Sequence, residues 1–310
     1  MLLKYNKPII MYNPKAGGGK AREKFEIYYK KLKESNIFTE NIDFCETESR
    51  DDAISKAINI SEQNNNDVII TIGGDGTIST IVNALMTLPK EKRLPLLPLP
   101  SGTGDSLLRD FNVTDIDLAI ANLKKIDSPK FFDLLFLEEL EGNYKYYCIN
   151  VLGMGFISDA ANYAVKGMKK FGAMGYVYAI FAALGNFKPY KTTIKYNDGK
   201  NTYQSDKVFF LTISNTKYSG GAVKIAPDAI YNDNLMDIVI LHDINRFQFL
   251  NGFRKAFKGK HLGKKGCTHF QTNSIEIHSE PKFQLMPDGE LEGTSPLRVS
   301  ILPKEIALVV

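Results

Sequence analysis

Apolar and polar positions alternate in two textures along this chain of 310 residues. In the first texture, short apolar or β-branched runs give way repeatedly to stretches with helical spacing. Residues 8–12 predict a strand. Residues 20–32, with Phe25, Tyr28, Tyr29 and Leu32 on one face, predict a helix. Residues 38–44 read as a strand, and 51–61 as a helix through Ala53, Ile54, Ala57 and Ile58. A strand at 67–72, a helix at 77–86 and a Pro-punctuated strand at 94–99 follow, with more helix to about Ile126. Strands alternating with helices predict a parallel sheet in an open α/β domain.

After Ser128 the texture changes. KFFDLLFL, YKYYCINVL, KTTIKY, KVFFLTIS, LMDIVIL, SIEIHS, KFQLM and LRVSIL are strand-like runs joined by turn residues. Helical pattern survives at 159–187 and 244–258. A second, mostly antiparallel domain follows from this, a sandwich or barrel. The expected division is 1–128 and 129–302, with a strand at about 303–310 returning to the first domain. Within 171–187, FGAMGYVYAIFAALGNF carries no charge. It is at the lower limit for a membrane span and holds three glycines, so a buried or lipid-contacting helix is expected.

Composition narrows this little. The chain is 44% hydrophobic and 24% charged, which is ordinary for a globular protein. A net charge of +4 suits a phosphate-bearing or anionic partner without demanding one. Cys45, Cys148 and Cys267 lack metal-ligand spacing and fit a reduced, cytoplasmic setting. The N-terminus does not read as a signal peptide.

Chemistry gathers at the glycines. TIGGDGTISTIVNAL (71–85) joins a strand to a helix through Gly73, Gly74, Asp75, Gly76 and Thr77. Glycines at a helix start let a phosphate approach main-chain N–H groups. Asp75 would repel that phosphate unless it held a cation, which argues for Mg²⁺. The alternative is a tight turn with Asp75 capping the helix. Two more glycine loops follow predicted strands: NPKAGGGKA (13–21) and PSGTGDS (100–106). Such loops meet at the carboxyl ends of an open sheet. Neither is a Walker A loop.

Together NPKAG (13–17), GGDGT (73–77), PSGTGDS (100–106), GGAVKIAPDAIYNDNLMD (220–237) and PDGE (287–290) resemble the diacylglycerol kinase catalytic family of bacterial lipid kinases. The resemblance runs in order over nearly the whole chain; GGDGT alone is shared with NAD kinases. It implies an N-terminal nucleotide domain, a C-terminal β-sandwich, and an active site in the cleft between them. ATP contacts are implied for Asn13, Pro14, Lys15, Ala16, Gly17, Thr47, Gly73, Gly74, Asp75, Gly76, Thr77, Ile78, Ser79 and Thr103. Asp288 falls at the family's proton acceptor, with Glu290 beside it. Asp233, with carbonyls of Ile230 and Leu235, falls where a side chain holds a structural Mg²⁺. One departure is plain: the family's usual Gly-Thr-x-Asn-Asp-Phe reads GTGDSL here, with Asp105 and Ser106 in place of Asn-Asp.

The residues leave alternatives beside these roles. Asp-Gly at 288–289 is also a hairpin signal, and NDN at 232–234 also an ordinary loop. In RFQFLNGFRKAFKGKHLGKK (246–265), Phe249, Phe253 and Phe257 recur every four residues among lysines and arginines. The segment either docks on anionic membrane or packs its rings inward. The expectation is therefore a cytoplasmic, peripherally membrane-associated lipid kinase using ATP and Mg²⁺, with Asp75, Asp288 and Glu290 in its chemistry. Diacylglycerol is the leading lipid. A sphingoid base, ceramide, another glycerolipid or NAD is the rival substrate, and a non-catalytic sensor on the same fold the rival class. No nucleic acid partner is expected, and a homodimer is left open.

Overall fold

Three strands, β1 (Pro8–Tyr12), β3 (Val68–Ile72) and β4 (Leu96–Leu99), are buried along their whole length. That is why they read as unbroken apolar runs rather than alternating ones: a parallel sheet is covered on both faces. The computed structural model describes residues 5–16, 20–38, 41–101, 105–165, 183–185 and 187–310. With the edge strand β2 (Asp43–Glu46), these strands form a parallel sheet in the order β4-β3-β1-β2. The end of β14 (Leu297–Leu308) joins this sheet, Leu308 pairing in parallel with Leu96. Of the strand predicted at 38–44, residues 39 and 40 lie outside the described residues, and the observed strand is Asp43–Glu46. Pairing starts only at Ile9↔Asp43, and the short β1 offers no partner upstream.

The helices of this part are α1 (Lys20–Glu34), α2 (Arg50–Gln63), α3 (Asp75–Leu85), α4 (Ser106–Arg109) and α5 (Ile116–Leu123). α2 shows how local chemistry sets its limits. Ser49 caps it by accepting the Asp52 N–H, and Asn64 ends it at a left-handed φ of 54°.

The chain forms two units. The first comprises Met1–Leu134, Gly220–Ala222 and Pro303–Val310; the second comprises Leu135–Ser219 and Val223–Leu302. Strand β5 (Lys130–Glu139) runs from one into the other. The second unit adds β6 (Lys145–Cys148), β7 (Val151–Gly155), β8 (Tyr190–Tyr196), β9 (Asn201–Ser214), β10 (Met236–His242), β11 (Cys267–Thr272), β12 (Ser274–Glu280) and β13 (Leu285–Pro287). Its pairings are antiparallel, and β9 bonds to three other strands. The first part of β9 pairs with β8; its buried second part, from Val208, pairs with β10 and β7. Leu152, Ile194, Leu211, Ile238, Ile277, Phe283, Leu285 and Val299 fill the interior. β11 was not visible in the sequence because CTHFQT has no apolar alternation. It forms by pairing with β10 along its length.

Two helices, α6 (Phe156–Val165) and α7 (Arg246–Ala256), pack on this unit through a second cluster that includes Phe156, Phe209 and Phe249. Of the predicted helix at 159–187, residues 166–182 and 186 lie outside the described residues. Among the described residues, no helix is long and apolar enough to cross a membrane.

Candidate active site

In the first unit, β3 ends at Ile72 and α3 begins at Asp75, so the turn between them has only Gly73 and Gly74 to work with. Gly73 is obligatory for packing: a Cβ there would collide with the Thr77 side chain. At Gly74 the protein itself leaves room, the nearest atom to a Cβ being Asp105 Oδ1 at 3.7 Å. Gly74 is the N-cap of α3 and supplies no side-chain acceptor. A helix starting this way, with no side-chain cap on its first N–H groups, suits an anion such as a phosphate. Gly76 and Thr77 continue the first turn, half-buried, and Ile78 and Ser79 turn inward and are buried.

Asp75 does something the sequence did not suggest. Its Oδ2 accepts the Ser106 N–H at 2.9 Å and its Oδ1 the Leu107 N–H at 3.2 Å. The carboxylate therefore caps α4 from another loop, satisfying two N–H groups that a helix start leaves open and balancing the helix dipole. The alternative of Asp75 capping its own helix is not what forms. Ser106, buried in the same place, accepts the Gly221 N–H through Oγ at 2.8 Å. The residue departing from the family pattern is thus tied to the GGAVK segment.

The other loops are fastened as well. Asn13 folds the end of β1 into a turn: its Oδ1 accepts the Lys15 N–H at 2.9 Å and its carbonyl the Ala16 N–H at 3.0 Å. Pro14 and Ala16 are half-buried and Lys15 exposed. Thr47, buried, follows β2 and donates its N–H to the Tyr12 carbonyl at 2.8 Å. From α1, Lys24 and Tyr28 donate to the carbonyls of Ser101 and Pro100, holding the start of the third loop. Sequence reasoning missed both: Tyr28 showed only helical spacing and Lys24 no signal at all. Gly17 and Thr103 lie outside the described residues.

In the second unit, Asp288 sits at a turn after β13. The Glu290 N–H bonds the Pro287 carbonyl at 2.9 Å, with positive φ at both central residues, 49° for Asp288 and 93° for Gly289. This is the hairpin geometry that Asp-Gly favours. The side chain is nevertheless buried and engaged. Oδ1 accepts the Asn150 N–H at 2.8 Å and the Cys148 thiol at 3.1 Å, and Oδ2 accepts the Ile149 N–H at 3.2 Å. Burial, reinforced by the Asp288 charge, pushes the Cys148 thiol well up, so it stays a protonated donor. The link between β6 and β7 is braced further: Asn215 donates to the Ile149 carbonyl at 2.9 Å, and Thr216 donates to Asn150 Oδ1. A buried carboxylate placed this firmly can receive a proton without reorganising. Glu290 is exposed at the same turn.

Ile230, Asp233 and Leu235 occupy one loop. Asp233 Oδ1 accepts the Leu235 N–H at 3.0 Å, and Asn234 takes a left-handed φ of 64°. Ile230 is 50% exposed. Among the described residues no three His, Cys, Asp or Glu side chains gather as a metal cluster. A cation on this loop would depend on one carboxylate, main-chain carbonyls and water, an all-oxygen set that suits Mg²⁺.

Comparison with known proteins gives this arrangement its context. Residues 7–131 match the diacylglycerol kinase catalytic domain, and residues 150–310 match the YegS C-terminal NAD kinase beta sandwich-like domain. The diacylglycerol kinase of Bacillus subtilis is 29% identical over 231 residues, covering 74% of this chain and 73% of its own. A Shewanella frigidimarina protein named "Probable lipid kinase YegS-like" is 30% identical over 243 residues, covering 78% and 75%. A crystal structure of a diacylglycerol kinase from Bacillus anthracis superposes with a TM-score of 0.74 at 24% identity, covering 98% and 96%, and shares the fold. With both family domains matched in order, and a relative of 30% identity over 78% of this chain and 75% of its own length, the chain belongs to the diacylglycerol kinase-like lipid kinase family.

Proposed function

We propose that the protein is an ATP-dependent lipid kinase that transfers the γ-phosphoryl group of ATP to a hydroxyl of a membrane lipid, foremost diacylglycerol, giving phosphatidic acid and ADP. The observation that carries this reading is the seat of Asp288: a buried carboxylate fixed by two main-chain N–H groups and a thiol. The first unit presents the nucleotide, with phosphates at the Gly74 start of α3 and the turn at Asn13. Mg²⁺ bound to those phosphates would offset their charge near Asp75. Asp288 takes the proton as the lipid oxygen bonds to the γ-phosphorus, and the bond from that phosphorus to the bridging oxygen of ADP breaks. Phosphoryl transfer asks little more of a protein than such positioning and charge balance. Glu290, exposed beside Asp288, orients Asp288 or neighbouring water.

The lipid is the open choice. Asp105 and Ser106 replace the family's usual pair, and Ser106 is committed to Gly221; this favours testing sphingoid bases, ceramide and other glycerolipids beside diacylglycerol. Incubation with γ-labelled ATP, Mg²⁺ and each lipid in mixed micelles tests the reading. Label in diacylglycerol supports it, label in another lipid alone redirects the substrate, and label in none contradicts it.

A further inference from the structure

Between Asp243 and Glu276 the chain contains no acidic residue, while Arg254, Lys255, Lys258, Lys260, Lys264 and Lys265 are all exposed. None of these six pairs with a carboxylate among the described residues. Helix α7 stands at the head of this segment. It is a well-bounded helix: Asn245 accepts the Gln248 N–H, and Gln248 accepts the Asn245 N–H in return. Phe249 faces inward, stacked on Phe209 at 4.6 Å between centroids and edge-on to Phe156 at 4.8 Å. Phe253 stacks behind it at 5.8 Å. Of the two readings open for this aromatic trio, inward packing holds for Phe249 and Phe253, so the trio is not a membrane contact surface. Phe247 takes the opposite side and is 84% exposed, the most exposed large apolar side chain among the described residues. On a helix it shares its face with Asn251 and Arg254. Phe257, 46% exposed, follows the helix C-terminus.

We infer that the outer face of α7 and the basic segment to Lys265 dock on an anionic lipid surface, with Phe247 as the ring that enters the headgroup region. The choice of occupant rests on the lipid-kinase reading; the surface itself does not. The unpaired cations supply the charge complement to an anionic surface, and each carries an apolar stem that lets its head stay in water. A lone ring projecting from a helix needs no matching pocket in a bilayer, whereas a folded protein partner would have to provide one. The interaction is that of an interfacial helix, lying on the surface without crossing it.

The test is flotation of the full chain with phosphatidylcholine vesicles, with and without phosphatidylglycerol. Binding should require phosphatidylglycerol and fall with added salt. Phe247→Ala, at a position 84% exposed, should weaken it roughly tenfold or more. Replacing Lys255, Lys258, Lys264 and Lys265 with Gln should cost about fivefold per charge. Both variants should keep wild-type lipid phosphorylation in detergent micelles, where docking is not needed. Vesicle binding that survives Phe247→Ala unchanged, including binding matched by heparin or DNA, overturns the inference and leaves the kinase reading standing. Loss of vesicle binding in the variants, in a protein that labels no lipid, upholds the docking surface and removes the kinase reading.

Discussion

The carboxylate of Asp75 receives the Ser106 N–H at 2.9 Å, tying the start of α3 to the start of α4 across 31 residues of sequence. In a loop that invites a purely catalytic explanation, this aspartate holds the starts of two helices together. The two roles separate by experiment. Asp75→Ala should destabilise the nucleotide-free protein by about 1.5–3 kcal/mol, the worth of hydrogen bonds to a charged group. Urea unfolding without ATP or Mg²⁺ measures it. Unchanged stability would leave Asp75 with a ligand-facing role alone.

The two adjacent glycines should behave differently. Gly73→Ala forces the Thr77 side chain to move and should destabilise the fold by roughly 1–3 kcal/mol. Gly74→Val places its Cβ in ordinary contact with Asp105 Oδ1, 3.7 Å away, at an extended backbone, φ −84° and ψ −170°, and should fold normally. A branched side chain there would stand where a phosphate approaches α3, so ATP binding should be lost. Calorimetric titration with ATP and a thermal melt on the same sample distinguish the two outcomes.

Stability should depend on pH through two histidines of the second unit. His269 Nε2 lies 2.7 Å from Asp237 Oδ1, and this bond raises the imidazole above 6.5 against the cost of burial. Its contribution is full below pH 6.5 and is lost as pH rises through the raised folded value. Burial lowers His261, whose Nε2 meets the Ile225 carbonyl. Its contribution is full above 6.5 and is lost as pH falls through the depressed value. Together they place a maximum near pH 6.5. His269→Gln should flatten the alkaline side and spare the acid side, read from denaturant midpoints across pH.

The strands and helices of the first unit were legible because burial on both faces leaves apolar runs and helical spacing in plain view. β1 spans the residues the pattern predicts, and α3 begins two residues ahead of its expected start. The site was legible as a set of loops but not as a set of bonds. That Asp-Gly at 288–289 makes a turn is local chemistry. That Asp288 meets Cys148, Ile149 and Asn150 depends on chain 138 or more residues away. Lys24, Tyr28 and Ser106 carry no signal of their role for the same reason. In α7, four-residue spacing found the helix, but only packing on Phe156 and Phe209 decides which rings face inward.

Asp288→Asn tests the account most directly, provided stability is followed alongside activity. Asn tolerates the left-handed turn at this position. Its amide, however, offers one acceptor oxygen where the carboxylate has two, so a main-chain donor at 149 or 150 loses its partner, costing about 1–3 kcal/mol. With the variant kept below its melting temperature, transfer of label from γ-labelled ATP to diacylglycerol in mixed micelles should fall by about 10²–10⁴-fold, with ATP affinity nearly unchanged. A folded Asp288→Asn protein that phosphorylates its best lipid at the wild-type rate, with chemistry limiting, would contradict the assignment of Asp288 as the base.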